Sequence, residues 1–222
     1  RSTPSGRRAS ISSALMPAPP RLFDRALHRK RLDRAASGFA AADFLQRRAG
    51  LDIVERLEAI MRDFPLAVDL SARSGAFAEA LAESPAAARV GVLIEADLSR
   101  AMLAGRGGAR VVLDEERLPF APASLDLVVS TLGLHWTNDV VGALVQSRRA
   151  LKPDGLFIGA LLGGSTLTEL RQALTAAEDE ILGGSGSRVS PFADSRDASG
   201  LLQRAGFALP VGDVDRVDVS YE

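Results

Sequence analysis

The sequence predicts an α/β fold built on a doubly wound, mostly parallel sheet, and three observations predict it. From residue 65 onward, short apolar runs alternate with segments of helical period, the pattern of successive βαβ units. The first run, Leu66 to Leu70, leads through the small-residue turn Ser71-Ala72-Arg73-Ser74-Gly75 into a helix carrying Phe77 and Leu81. A strand, a tight turn and a helix in that order form a nucleotide cradle in many α/β proteins. Finally, an aspartate stands at or just after the end of each of the first three strands: Asp69, Asp97 and Asp114.

Composition narrows the chemistry. The 222 residues suffice for one large domain with a full core, and 46% hydrophobic with 25% charged residues is ordinary for a globular chain. The absence of cysteine excludes a disulfide scaffold, a thiolate zinc site and a cysteine nucleophile, and two histidines are too few for a histidine-rich metal site. No apolar run reaches the ~18 residues that suggest a membrane span. The net charge of -1 conceals an asymmetry: residues 1–50 carry +8 and the remainder -9. The basic segment suits folding against the acidic domain, contact with anionic lipid or nucleic acid, or a targeting role. Residues 1–23 hold four arginines, several serines and no acid, as an organellar transit peptide would, although Pro17, Pro19 and Pro20 break an amphipathic helix. Met16 is an alternative start, with residues 1–15 read through from upstream, and is the reading preferred here.

In chain order, residues 1–20 are Arg/Ser/Pro-rich and predict a disordered or targeting segment. Residues 21–64 predict a helical lid. Its first helix runs from Arg21 to Ala36 with Phe23, Leu27 and Leu32 apolar, and is interrupted at Ser37-Gly38. Its second is capped by Asp43 and reaches Phe64, with Gly50 as a break point and Phe44, Leu45, Ile53, Val54, Leu57, Ile60 and Met61 on its apolar side. Residues 65–222 predict the main domain. After the first strand, turn and helix come a strand over Arg89 to Glu95, apolar enough for burial on both faces, and a helix begun by Asp97-Leu98-Ser99. Short strands over Val111 to Leu113 and Leu125 to Ser130 come next, then a helix over Asp139 to Leu151. A fifth strand, Leu156 to Leu162, comes after the turn Lys152-Pro153-Asp154-Gly155. A long helix, Thr166 to Leu182, is capped by Ser165 or Thr166. A Gly/Ser loop at 183–190 leads to a helix from Ser195 to Ala205, closed by Gly206, and a last strand within Phe207 to Tyr221.

Ligands of such sheets sit beyond the carboxyl ends of the strands, where strand order reverses. Asp69, Asp97 and Asp114 all belong there. A carboxylate after the second strand can accept both ribose hydroxyls of an adenosine, and one after the third can accept an adenine amino proton. A single such aspartate is as well explained as a helix cap worth about 1 kcal/mol. Three in register with a strand–turn–helix cradle favour a ligand.

The segments Asp97-Leu98-Ser99-Arg100-Ala101-Met102-Leu103, Asp114-Glu115-Glu116-Arg117-Leu118-Pro119-Phe120, Leu125-Asp126-Leu127-Val128-Val129-Ser130, Leu134-His135-Trp136 and Leu151-Lys152-Pro153-Asp154-Gly155 resemble class I S-adenosylmethionine-dependent methyltransferases. Within that superfamily, Phe23-Asp24-Arg25, Asn138-Asp139, Thr166-Leu167 with Glu169-Leu170-Arg171, and Ser190-Pro191-Phe192 resemble the methyltransferase-like assembly factors of respiratory complex I, known in mitochondria and alphaproteobacteria. The malonyl-carrier-protein methyltransferases of biotin synthesis are more distant. The resemblance runs from about Leu22 to the end and implies an S-adenosylmethionine pocket. In it Asp69, Ser71 and Gly75 line the methionine end, Asp97 and Leu98 hold the ribose, and Asp114 and Glu115 flank the adenine near Ser130. It places His135 and Trp136 at the substrate mouth, with the segment bearing Phe23 and Arg25 as a cap. It implies a protein substrate, a complex I subunit among the candidates, and no nucleic acid, since the domain is acidic and lacks an Asn/Asp-Pro-Pro-Tyr/Phe-like motif. It leaves room for peripheral membrane contact. It implies a bacterial cytoplasm or the matrix side of the mitochondrial inner membrane, and methyl transfer or arginine hydroxylation as the reaction. His135 also suits a hydrogen-bonded structural role, and Trp136 a core position.

Two departures from the family pattern stand out. The superfamily turn reads Asp-x-Gly-x-Gly-x-Gly, whereas Ser71 and Arg73 occupy two glycine positions here. Arg73 either pairs with the cofactor carboxylate or crowds the cofactor out. Three readings are open: a cofactor-dependent protein-modifying enzyme, a catalytically idle assembly module blocked by Arg73, and a small-molecule or carrier-protein O-methyltransferase. The family also continues past Tyr221 to a seventh, antiparallel strand, which predicts an incomplete sheet for this chain.

Overall fold

The computed structural model describes residues 21–220. The expectations for residues 1–20, the targeting segment and the Met16 start included, lie outside that range, as do Tyr221 and Glu222. Five strands, β1 (Phe64–Leu70), β2 (Val90–Asp97), β3 (Ala109–Val112), β4 (Leu125–Thr131) and β5 (Leu151–Ala160), form one sheet in the order β3-β2-β1-β4-β5, with every pairing parallel. Strand order therefore reverses between β1 and β4, which makes their carboxyl ends the crevice of a doubly wound sheet.

Alternation along β1 sends Ala67 and Asp69 to one face and Val68 and Leu70 to the other. On the first face, Ala67, Leu127 and Val129 pack with Ile53, Val54 and Leu57 of α2 (Phe44–Glu58) and with Phe77 and Leu81 of α3 (Ala76–Ala82). Each such side chain, fully buried, contributes roughly 1.5–3 kcal/mol. On the second face, Val68, Leu70, Ala96 and Val128 pack with Leu113 and with Ala150 of α4 (Val140–Ala150). Asp139 caps α4, its Oδ1 accepting from the Gly142 N–H at 2.7 Å. Two further helices, α5 (Thr168–Leu182) and α6 (Ser195–Arg204), come after β5, and Leu201 and Leu202 of α6 lie against α4. Helix α1 (Arg25–Ala35) is capped by Asp24, whose Oδ1 accepts from the Leu27 N–H at 2.9 Å.

Several expected boundaries are corrected. The second helix ends at Glu58, not Phe64, because Phe64 and Pro65 open β1, where the proline ring suits extended backbone. Gly50 does not break it: a Cβ there would lie 3.1 Å from the Phe77 backbone, so glycine lets α2 and α3 meet closely. Phe44 and Met61, expected inward, are exposed. Asp43 forms no side-chain cap and instead holds Arg47 at 2.9 Å. Strand β2 includes Asp97 and is buried only at its carboxyl end, Val92 being 51% exposed. Residues 100–105 form turns rather than a helix, too short a stretch before Gly105 and Gly108 for a nucleus to repay its cost. Strand β5 starts at Leu151, absorbing the Lys-Pro-Asp-Gly sequence as an irregularity with Asp154 at φ 65°. Neither Ser165 nor Thr166 caps α5; Leu167, in left-handed conformation, precedes it. The strand expected within 207–221 does not form among residues 207–220: Val211 is 92% exposed, and a valine-rich stretch without a neighbouring strand has no ladder to join.

Candidate cofactor and substrate site

The turn after β1 keeps the backbone of a glycine-rich loop without the glycines. Ser71, Arg73 and Gly75 have φ of 65°, 47° and 87°, so the alternate positions of the family pattern are all left-handed. For the two non-glycine residues this costs roughly 1–2 kcal/mol each. At Gly75 a Cβ would fall 2.0 Å from Nη1 of Arg106, which reaches beneath the turn to Glu95 at 3.0 Å. The turn is pinned by the Ala72 N–H donating to the Ala96 carbonyl at 2.9 Å.

Arg73 does not flip outward. Its guanidinium is 4% exposed and donates to Oδ2 of fully buried Asp97 at 2.6 Å, and its backbone N–H donates to the same oxygen at 3.0 Å. Oδ1 of Asp97 accepts from the Ser99 N–H at 2.8 Å. Both oxygens of the expected ribose acceptor are thus already engaged. The adjacent Leu98 is buried with Leu32 of α1 and Met102, and so seats the amino-terminal helix.

The crevice proper is different. Asp69 is completely buried, adjacent to Glu95 in the β1–β2 register, and neither carboxylate oxygen has a partner among the described residues. Burial, and then the negative charge of Glu95, push its carboxyl well above the usual carboxylate range. The hydroxyls of Ser74, Ser130 and Thr131 and Nδ1 of His135 are likewise buried and unpartnered. Buried polar atoms are normally satisfied, so a group of orphans at the switch point between β1 and β4 points to a polar ligand.

A charge network closes the other side. Arg25 on α1 reaches Asp114 at 2.7 Å, bonds Glu115, and donates to the Trp136 carbonyl at 2.9 Å. Glu115 in turn accepts from Ser71 Oγ, linking α1, through Arg25, to the turn. Asn138 brackets Phe23, accepting from its N–H at 2.8 Å and donating to its carbonyl at 3.1 Å. Beside this network Trp136 stacks on His28 (centroids 5.0 Å apart) and meets Phe23 edge-on at 5.5 Å, while His135 meets Phe192 edge-on at 5.8 Å. Burial, followed by the charge of Arg73, lowers both His28 and His135 to about 4, so both imidazoles are neutral near pH 7. Among the described residues no group of three or more His, Cys, Asp or Glu could hold a metal ion.

All thirteen residues singled out from sequence lie at this end of the sheet or on the segment that covers it. Sequence reasoning missed His28, Glu95, Arg106 and Thr131, and it named Asn138 and Phe192 only within resemblance motifs, without a site role. His28 lies one helical turn from Arg25, and Thr131 is the residue directly after Ser130, so spacing held a signal for those two. Arg106 and Glu95 meet only through the fold.

The residues fit S-adenosylmethionine at one end. The orphaned Asp69 oxygens suit an ammonium, and the Ser130 and Thr131 hydroxyls a carboxylate. At the ribose end they fit only once Arg73 leaves Asp97.

Comparison with known proteins agrees with this architecture. A methyltransferase-domain family matches residues 68–159. Mouse mitochondrial arginine-hydroxylase NDUFAF5 is 39% identical over 233 residues, covering 99% of this chain and 67% of its own. The human counterpart is 41% identical over 207 residues, covering 90% of this chain but 59% of its own, so this chain spans about three fifths of that relative's length. The malonyl-[acyl-carrier protein] O-methyltransferase of Gallionella capsiferriformans is 35% identical over 215 residues, 90% of this chain and 71% of its own. Among solved structures, Haemonchus contortus phosphoethanolamine N-methyltransferase 2 with S-adenosyl-L-methionine superposes at TM-score 0.60 and 20% identity, over 81% of this chain and 44% of that one. An S-adenosylmethionine-dependent methyltransferase of Thermotoga maritima gives 0.59 at 18% identity, over 81% of both. With its parallel sheet, its switch-point crevice and these relatives, the chain belongs to the class I S-adenosylmethionine-dependent methyltransferase superfamily.

Proposed function

We propose that this chain binds S-adenosylmethionine at the β1–β4 crevice and modifies a side chain of a protein during assembly of respiratory complex I. The observation that carries the cofactor reading is the fully buried, unpartnered Asp69 near the end of β1, together with the orphaned Ser130 and Thr131 hydroxyls at the end of the neighbouring β4. Asp69 would hold the cofactor ammonium, Ser130 and Thr131 its carboxylate, Asp97 the ribose diol, and Asp114 and Glu115 the adenine edge. The cofactor supplies an electrophilic methyl group on a sulfonium. The protein supplies position: α1, latched by Arg25 and Asn138, excludes water, and His28, Trp136 and Phe23 form one wall of the mouth. His135, held neutral with Nδ1 unpartnered, accepts a hydrogen bond and orients a donor. At about 4 it is too weak a base to take a proton from an amine or guanidinium.

The substrate half of the proposal draws on the relatives. The mammalian ones are named as arginine hydroxylases of mitochondria and the bacterial ones as carrier-protein methyltransferases. The complex I reading assigns this chain a protein substrate, with methyl transfer, or arginine hydroxylation by a separate two-electron oxidant that donates the oxygen, as the modification, in a bacterial cytoplasm or on the matrix side of the inner membrane. Among the described residues no helix is long and apolar enough to cross a membrane. The test has two arms. Calorimetric titration of the full-length protein with S-adenosylmethionine should give saturable heat, and none at millimolar ligand overturns the cofactor reading. Mass spectrometry of complex I subunits, with and without the protein, should reveal one modified side chain; identical spectra overturn the substrate reading.

A second reading is favoured by one observation, the Arg73–Asp97 pair. In it the ribose acceptor stays blocked, and the fold serves as a binding module without turnover.

A further inference from the structure

Beyond the mouth, α5 and the loop after it enclose a cleft of 350 Å³, lined by Arg171, Thr175, Ser187, Arg188, Ser190 and Phe192 among others. No residue of the cofactor crevice borders it except through Phe192, whose ring meets His135 edge-on at 5.8 Å. One aromatic ring therefore separates this cleft from the substrate mouth.

The two arginines of the cleft differ. Arg188 bonds Glu178, which also accepts from the Gly186 N–H at 2.9 Å, so Glu178 both neutralises Arg188 and fastens the loop to α5. Arg171 has no carboxylate within 4.0 Å among the described residues. Among the described residues its guanidinium hydrogen-bonds only the Gly164 and Thr166 carbonyls, at 3.5 and 3.3 Å and through one nitrogen, which leaves most of its five N–H donors without a partner there. A half-buried, unneutralised guanidinium among hydroxyl groups is a receptor for an oxyanion. The charge left over is a single positive one, which matches a carboxylate rather than a dianionic phosphate. The volume, at the small end of ligand pockets, suits one side chain or a short acyl group.

We infer that Arg171, with the Thr175 and Ser190 hydroxyls, forms a carboxylate-binding subsite that anchors an acidic group of the substrate one aromatic ring away from the reacting position. As a substrate subsite it rests on the function proposed above; as a carboxylate site it stands on its own residues. The carboxylate comes either from an Asp or Glu side chain of a protein or from the free acid of an acyl group.

The experiment titrates the full-length protein with an N-acetyl-glutamate amide, malonate and inorganic phosphate, each tracked by the Arg171 side-chain N–H resonance. Both carboxylates should give a saturable shift with a dissociation constant of about 1–10 mM. The shift should vanish in Arg171→Gln and weaken in Arg171→Lys, which keeps the charge but not the fork. Tighter binding of the glutamate amide assigns a protein side chain, and tighter binding of malonate an acyl acid. No saturable shift with either carboxylate, tenfold tighter phosphate, or undiminished binding in Arg171→Gln overturns the inference. Should Arg171→Gln fail to fold, Arg171→Lys and Thr175→Val carry the same comparison. S-adenosylmethionine titration on the same samples reports the cofactor reading separately, since Arg171 lies outside that crevice.

Discussion

Replacing Arg73 by glycine separates the two functions this side chain could serve. In the structure its guanidinium is bonded at 2.6 Å to Asp97, whose side chain is 0% exposed, and the residue sits at φ 47°. Removing one partner of a buried ion pair costs about 3–5 kcal/mol, because the other charge is left without compensation. Glycine returns roughly 1–2 kcal/mol by relieving the left-handed strain, and the backbone N–H to Asp97 is kept. The ligand-free variant should therefore lose about 1–4 kcal/mol, which for a domain of this size lowers Tm by roughly 2–15 °C. With the competitor gone, the ribose diol meets an Asp97 that lacks its salt-bridge partner, and S-adenosylmethionine should bind at least about tenfold more tightly. Thermal unfolding without ligand and calorimetric titration with it measure the two terms. A Kd that is unchanged or weaker in Arg73→Gly refutes the reasoning and makes Arg73 a cofactor contact rather than a competitor.

Three other outcomes are expected. Because Asp69 titrates above its unfolded value, the folded state holds a proton that the unfolded chain has released, and this contribution to stability is lost as pH rises above about 4. Asp69→Asn should then gain stability relative to the parent between about pH 4 and 7 while losing at least about tenfold in S-adenosylmethionine affinity; parallel urea-unfolding profiles would discard the assignment. His135 shifts the other way: with a folded value of about 4, its contribution is present above the unfolded value and lost as pH falls from about 6.5 to 4. The stability gap between parent and His135→Leu should thus change by about 2–3 kcal/mol across that window, and a constant gap would count against a buried neutral imidazole. Arg25→Ala removes the ties from α1 to Asp114, Glu115 and the Trp136 carbonyl, so hydrogen exchange across Arg25–Ala35 should accelerate at least about tenfold while the β1 and β4 amides stay protected. Equal acceleration in the sheet would mean that α1 is not a separately opening lid.

Much of the fold was legible because its elements carry local signals. The run Leu66 to Leu70 and the Asp139 cap each place their element within two residues of its expected bounds, and the stripe Ile53-Val54-Leu57 identifies its helix, though that helix ends six residues early. The misjudged elements lacked such closure. Val211, Val214, Val217 and Val219 give the stretch β propensity, but they are spaced by three, three and two residues and share no single strand face, and pairing needs a neighbour. Asp97-Leu98-Ser99 reads as a helix start, yet the stretch from Arg100 to the first of two left-handed glycines, Gly105, is too short to sustain one. The acids and the aromatic pair at the strand ends were legible because the doubly wound topology assigns strand ends to the ligand crevice whatever the details.

By itself the sequence determined the alternation of strands and helices of a doubly wound sheet and the placing of Asp69, Asp97 and Asp114 at strand ends, because hydrophobic periodicity and βαβ connectivity are encoded along the chain; the strand order and its switch point came with the fold. The tertiary structure alone decided which of those residues are free. Arg73 turns inward to occupy Asp97, Glu115 ties Ser71 to Arg25, and Asp69 is left buried without a partner. Charge pairing is a competition among groups brought together from distant points of the chain, and its outcome depends on distances and burial that no local pattern carries.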